Sequence, residues 1–157
     1  MQVSSVLSAL LLVLVTGFML ASTPLVRGIL NRIAGLARTP GQAIVLVTFV
    51  ALIASWINWG FGLVVGALFA KELARQIKVD YRLLVASAYS GFLIWHAGLA
   101  GSIPLTVATP GHFTEATIGV ISVGNTTFAM FNLIIVGVLL VVMPLVNRLM
   151  LPDESES

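Results

Sequence analysis

Residues 43–70 constrain this chain more than any other stretch. They read A-I-V-L-V-T-F-V-A-L-I-A-S-W-I-N-W-G-F-G-L-V-V-G-A-L-F-A, without one charged side chain. A helix that crosses a bilayer needs about 20 apolar residues. This run is longer, and its middle is interrupted by S-W-I-N-W-G-F-G at 55–62. Polar side chains and two glycines fall where a span is normally most uniform. Two arrangements fit: one long tilted helix, or two shorter helices meeting at a tip inside the membrane.

The rest of the chain confirms the solvent. Of 157 residues, 59% are hydrophobic and only 9% charged, and mean hydropathy is +1.08. A soluble domain carries about 25% charged residues. The reading is an all-α integral membrane protein. With no cysteine, disulfide and thiol chemistry are excluded. The net charge of +2 is too small to point to nucleic acid.

In chain order, 3–26 is long enough for a first span. No basic stretch precedes it, which favours a retained span over a cleaved signal. Residues 27–39 place Ile29, Leu30, Ile33 and Leu36 at helical spacing among Arg27, Arg32 and Arg38. That pattern predicts a short interfacial helix, or simply a connector. Residues 71–82 are charged and suit a solvated helix end. A third apolar run, 83–107, contains Gly91, Gly98, Gly101, Ser102 and Pro104 and is expected to be a broken span. An almost uncharged loop leads to a last span at 127–151, and 152–157 is an acidic tail expected to be disordered.

Charge placement discriminates between the two arrangements. Basic residues gather on the cytoplasmic side of spans. If 43–70 crosses once, Arg27, Arg32 and Arg38 oppose Lys71, Arg75, Lys78, Arg82 and Arg148, a split of three against five. If 43–70 turns back, all eight share one side. The expectation is therefore three spans, one of them broken, plus a re-entrant hairpin. The N-terminus would lie outside and the C-terminus in the cytoplasm. Each hairpin arm would be about a dozen residues, or about 18 Å.

A tip at that depth exposes backbone groups that hydrocarbon cannot satisfy, so something polar must meet it. The broken span is the candidate. Paired interruptions of this kind point to a transporter site near the bilayer midplane, where carbonyls and small polar side chains hold a cation and helix N-termini face an anion.

At these residues the chain resembles a known family. S-W-I-N-W-G-F-G-L-V-V-G-A-L-F-A-K-E-L-A-R, A-Y-S-G-F-L-I-W-H-A-G-L-A-G-S-I-P-L-T-V-A-T-P-G-H and I-G-V-I-S-V-G-N-T-T-F look like the bacterial short-chain fatty acid transporters of the ion transporter superfamily. The resemblance implies two inverted repeats, each with a re-entrant hairpin and a broken helix. It also implies secondary transport of small carboxylates such as acetoacetate or butyrate across the bacterial inner membrane. Members of that family are much longer. This chain resembles the first repeat without its earliest helices, and a second repeat is missing. The implied partners are a small carboxylate, the lipid bilayer, and either the second repeat or further copies of the chain. A non-transporting accessory or assembly subunit is the alternative.

The candidate ion- and substrate-binding residues are Ser55, Asn58, Gly60 and Gly62 at the tip, with Gly98, Gly101, Ser102, Thr106 and Thr109 from the broken span. Each has a structural alternative. Asn58 and Ser55 can cap the arm ends, and the hydroxyls can bond back to helical carbonyls. Gly60 and Gly62 permit a tight turn. Trp56 and Trp59 suit packing or an interface. Pro104 and Pro110 are expected to break the helix. No Lys or Arg lies in an apolar core, so a bound carboxylate must be met by helix N-termini, a coupled cation, a missing segment or protonation. Na⁺ and H⁺ are not separated, and no cofactor is implied. His96 stands where the family pattern has a small residue and is expected to be structural. His112 and Glu115 form H-x-x-E, but zinc enzymes need about three placed ligands, so an enzyme is not expected.

Overall fold

The computed structural model describes residues 2–152, which are all-helical without a strand among them. Three segments are long and apolar enough to cross a membrane: Pro40–Ile57, Tyr81–Val107 and Met130–Leu149. A fourth is a bent pair, Leu11–Ala21 and Pro24–Ala34, meeting at 64°. The chain is a multi-pass α-helical membrane protein. Apart from Pro152, the acidic tail lies outside the described residues.

Helix α1 (Gln2–Ala21) gives way to α2 (Pro24–Ala34) at a local stop signal. Thr23 Oγ1 accepts from Val26 N–H, and Pro24 opens the new helix, where a missing N–H costs nothing. Pro24 therefore begins a helix, where the sequence reading put it inside the first span. Leu30 and Ala34 of α2 are buried in the core. Residues 35–39 are not helical.

The uncharged run forms α3 (Pro40–Ile57) and α4 (Trp59–Gln76), separated by Asn58 alone. The two pack antiparallel. Gly62 lies against Ser55, and a Cβ added at Gly66 would sit 3.4 Å from the Ala51 methyl. The arms are longer than the expected dozen residues, at 18 residues each, or about 27 Å. At one end Thr39 caps α3 and Pro40 starts it early. At the other, α4 continues through Lys71 and Arg75 to Gln76.

Helix α3 is the centre of the bundle. Ala43, Ile44, Val47, Thr48, Ala51 and Leu52 are completely buried. Around it stand α4, α5 (Tyr81–Ser90), the 3₁₀ segment Gly91–Ala97 and α8 (Met130–Leu149). Asp80 starts α5 by accepting from Arg82 and Leu83 N–H through Oδ1. At Gly91 the helix tightens to 3₁₀; a Cβ there would lie 2.5 Å from the Ala51 methyl, so only glycine lets the segment approach α3 this closely. Beyond residues 98–101 come the short helices α6 (Ser102–Val107) and α7 (Glu115–Ile118). Pro104 does not break the helix as expected. It occupies the first turn of α6, where proline is tolerated, and the break lies earlier, at Gly98–Gly101.

The outer faces are apolar. Ile134, Ile135, Val138, Val141 and Leu145 of α8 are exposed, as are Leu11, Leu12, Val15 and Phe18 of α1. Those surfaces suit lipid or further protein.

Candidate functional site

Three elements meet at the hairpin turn. The Trp56 carbonyl accepts from Leu99 N–H at 2.8 Å. The Trp56 indole N–H donates to the Ala97 carbonyl at 3.1 Å. Asn132, at the start of α8, donates through Nδ2 to the same Ala97 oxygen at 3.0 Å and to Thr127 O at 2.7 Å. The broken span thus docks on the end of α3, and α8 closes the layer. These bonds satisfy carbonyls left free where α3 ends at Ile57 and where the 3₁₀ segment ends at Ala97, as low-dielectric surroundings demand.

Glycine makes the contact close. A Cβ at Gly98 would lie 2.2 Å from the Trp56 carbonyl oxygen. A Cβ at Gly62 would lie 2.2 Å from Ser55 Oγ and 2.4 Å from Ser55 Cα. At Gly60 it would strike Val13 Cγ1 at 2.8 Å, and at Gly17 the Phe61 nitrogen at 2.9 Å, so Gly17 and Gly60 let α1 pack on the turn. Gly101 sits beneath the His96 carbonyl, 2.5 Å from an added Cβ.

Asn58 caps both helices it separates. Its N–H donates to Ala54 O, its carbonyl accepts from Gly62 N–H, and its Oδ1 accepts from Phe61 N–H at 3.0 Å. Ser55 is 1% exposed, and its Oγ has no hydrogen-bond partner. Trp59 meets Trp95 edge to face at 6.1 Å. His96 is exposed and packs against Trp95, with ring centroids 3.6 Å apart.

The remaining candidates are not brought to the turn by these bonds. Ser102, Thr106 and Thr109 are exposed in and just beyond α6. Thr106 Oγ1 donates to Ser102 O and Thr109 Oγ1 to Leu105 O, the back-bonding weighed against a binding role. His112 Nε2 bonds Gly119 O, and Glu115 accepts from Gly111 N–H. Both side chains brace their own loop. Among the described residues, no three metal-ligating side chains converge.

Two asparagines that join helices escaped the sequence reading. Besides Asn132, Asn147 is buried in α8. Its Nδ2 donates to Thr48 Oγ1 at 2.9 Å and Ser90 Oγ at 2.7 Å, joining α8 to α3 and α5. Their signal was visible as two amides in a helix that is apolar apart from Arg148 in its last turn, where polar groups hold helices together.

A family model described as "Short chain fatty acid transporter" matches residues 4–157. The chain is 51% identical over 146 residues to a "Putative short-chain fatty acid transporter" of Escherichia coli (strain K12), covering 92% of this chain and 33% of that protein. It is 46% identical over 154 residues to a protein of the same name from Haemophilus influenzae (strain ATCC 51907 / DSM 11121 / KW20 / Rd), covering 93% of this chain and 34% of that one. The chain thus spans about a third of the length of the curated relatives it matches. No solved structure matches.

Proposed function

We propose, from a chain that belongs to the short-chain fatty acid transporter family, that it forms part of a carrier moving small monocarboxylates across the bacterial inner membrane. The family match along almost the whole chain carries this reading, and the family is one of transporters, not enzymes. The turn at Asn58 is the proposed contribution to the substrate path. It is a re-entrant tip, with the remaining two thirds of the relatives' length completing the site over its open side.

The layout of charge supports the re-entrant orientation. Arg27, Lys71 and Arg75 line one cavity, and the Arg148 side chain lies beside Gly41 at the start of α3. These groups gather at the end of the hairpin opposite Asn58. With that end in the cytoplasm, they obey the charge rule together. The C-terminus then lies inside and the N-terminus outside.

At the tip, the start of α4 directs its partial positive charge toward a carboxylate. The Trp56 and Ala97 carbonyls already hold hydrogen bonds; among the described residues three buried hydroxyls have no partner, those of Ser22, Ser55 and Ser87, and Ser55 is the one beside the turn. Ser55 is packed on Gly62, so an ion reaches it only when the hairpin arms part. Coupling to Na⁺ or H⁺ would supply the missing positive charge.

Asn58→Leu is a poor test, because losing the cap costs about 1 kcal/mol by itself. Ser55→Ala removes no hydrogen bond. In a full-length relative it should leave expression and melting temperature unchanged while lowering butyrate uptake at least about tenfold, the scale of one lost ion contact. Unchanged uptake would remove Ser55 from the ion path. The second reading, an accessory subunit, has the one-third coverage behind it. Butyrate uptake by liposomes holding this chain alone would exclude that reading.

A further inference from the structure

Between α2 and α4, at the charged end of the bundle, lies a cavity of about 330 Å³. Arg27, Lys71 and Arg75 line it together with Leu30 and Leu68. Its one carboxylate, Glu72, is engaged: it lies 3.6 Å from Arg75 Nη1 and accepts from Gln76 Nε2 at 3.1 Å. Gln76 Nε2 also donates to Asn31 Oδ1 at 2.9 Å, which ties α4 to α2 beside the cavity. Among the described residues no carboxylate pairs with Arg27 or Lys71.

We propose that this cavity binds the headgroup phosphate of an anionic phospholipid. Arg27 and Lys71 hold the phosphate, and half-buried Leu68, with buried Leu30 behind it in the cavity wall, meets the glycerol and first acyl carbons. A free phosphate or carboxylate would satisfy the same cations. The leucines, and the lipid-suited outer side of α2 where Leu25 is 74% and Ile29 47% exposed, favour the lipid. Basic pockets between helices at a membrane surface recognise such headgroups, and each nearby Lys or Arg strengthens anionic-lipid binding severalfold. The proposal is independent of the carrier's substrate and of any site at the hairpin turn.

The test is native mass spectrometry of the purified full chain with added phosphatidylglycerol or phosphatidylcholine. Phosphatidylglycerol adducts should be retained in preference. Arg27→Gln with Lys71→Gln should cut that preference about tenfold or more. Arg27→Lys should preserve it, and Lys78→Gln with Arg82→Gln, outside the cavity, should leave it unchanged. If the double variant aggregates, Lys71→Gln alone is read; its side chain is exposed, and it should cost about three- to fivefold. Equal retention of the two lipids, or a preference that survives loss of the cavity charges, overturns the proposal. So does saturable binding of inorganic phosphate or butyrate that needs Arg27 and Lys71 while no lipid is preferred, which would mark a soluble-anion site.

Discussion

Asn132 and Asn147 stand at opposite ends of α8, and the bundle uses them in different ways. Asn132 reaches main-chain carbonyls, Ala97 O and Thr127 O. Asn147 reaches hydroxyls, Thr48 and Ser90, whose own hydrogens already go to Ile44 O and Ser87 O. The difference follows the backbone. Where α5 runs as a regular helix, its carbonyls are occupied internally, and only side chains are left to join helices. Where the chain passes through 3₁₀ geometry into the break at Gly98–Gly101, carbonyls come free and need donors. The turn end is therefore held through main-chain carbonyls and close glycines, and the other part of α8 through side-chain pairs.

This contrast should show most strongly in glycine replacements. Gly98→Ala places a methyl on the Trp56 carbonyl, a backbone atom that cannot rotate away. It should cost about 3 kcal/mol or more, seen as loss of a monodisperse peak in size-exclusion chromatography. A well-folded Gly98→Ala protein would mean that the docking of break on turn is loose.

Next in size is the shared acceptor at Ala97. Trp56→Phe and Asn132→Leu each leave that carbonyl one donor; together they leave it none. A double-mutant cycle on thermal stability should give about 1–3 kcal/mol of extra loss in the double variant, the cost of a buried unpaired group. Simple additivity would mean that water reaches the carbonyl.

Asn147→Leu should cost less, about 0.6–1.7 kcal/mol, because Thr48 and Ser90 keep their donor bonds and lose only an incoming one. A larger loss than that of Asn132→Leu would reverse the ranking of the two ends. The smallest effect belongs to Gly137→Ala on α8. Nothing lies within 4 Å of its added methyl, so helix propensity should stabilise the protein by up to about 1 kcal/mol. A destabilised variant would reveal a partner closely packed on that face.

The sequence alone determined whatever depends on neighbours along the chain. Charge and hydropathy showed the membrane and the apolar segments. The polar interruption at 55–62 marked where the helix stops, and Asn58 was legible as a cap because capping acts over three residues. Thr39 with Pro40, and Asp80, are helix starts of the same short range. The motifs around the turn also made the family recognisable.

Only the tertiary structure decided what meets what. Trp56 finds Ala97 across 41 positions, and Asn147 finds Thr48 across 99. No local pattern encodes such pairs, because they depend on how whole helices pack. The same packing separates residues that looked alike. Gly62 and Gly98 are required by a neighbour's atoms, whereas Gly28 and Gly137 face open space. Ser55 is sealed in the core, whereas Ser102, Thr106 and Thr109 are exposed. A glycine or a hydroxyl carries no mark of its surroundings. The helix that comes to rest against it supplies them.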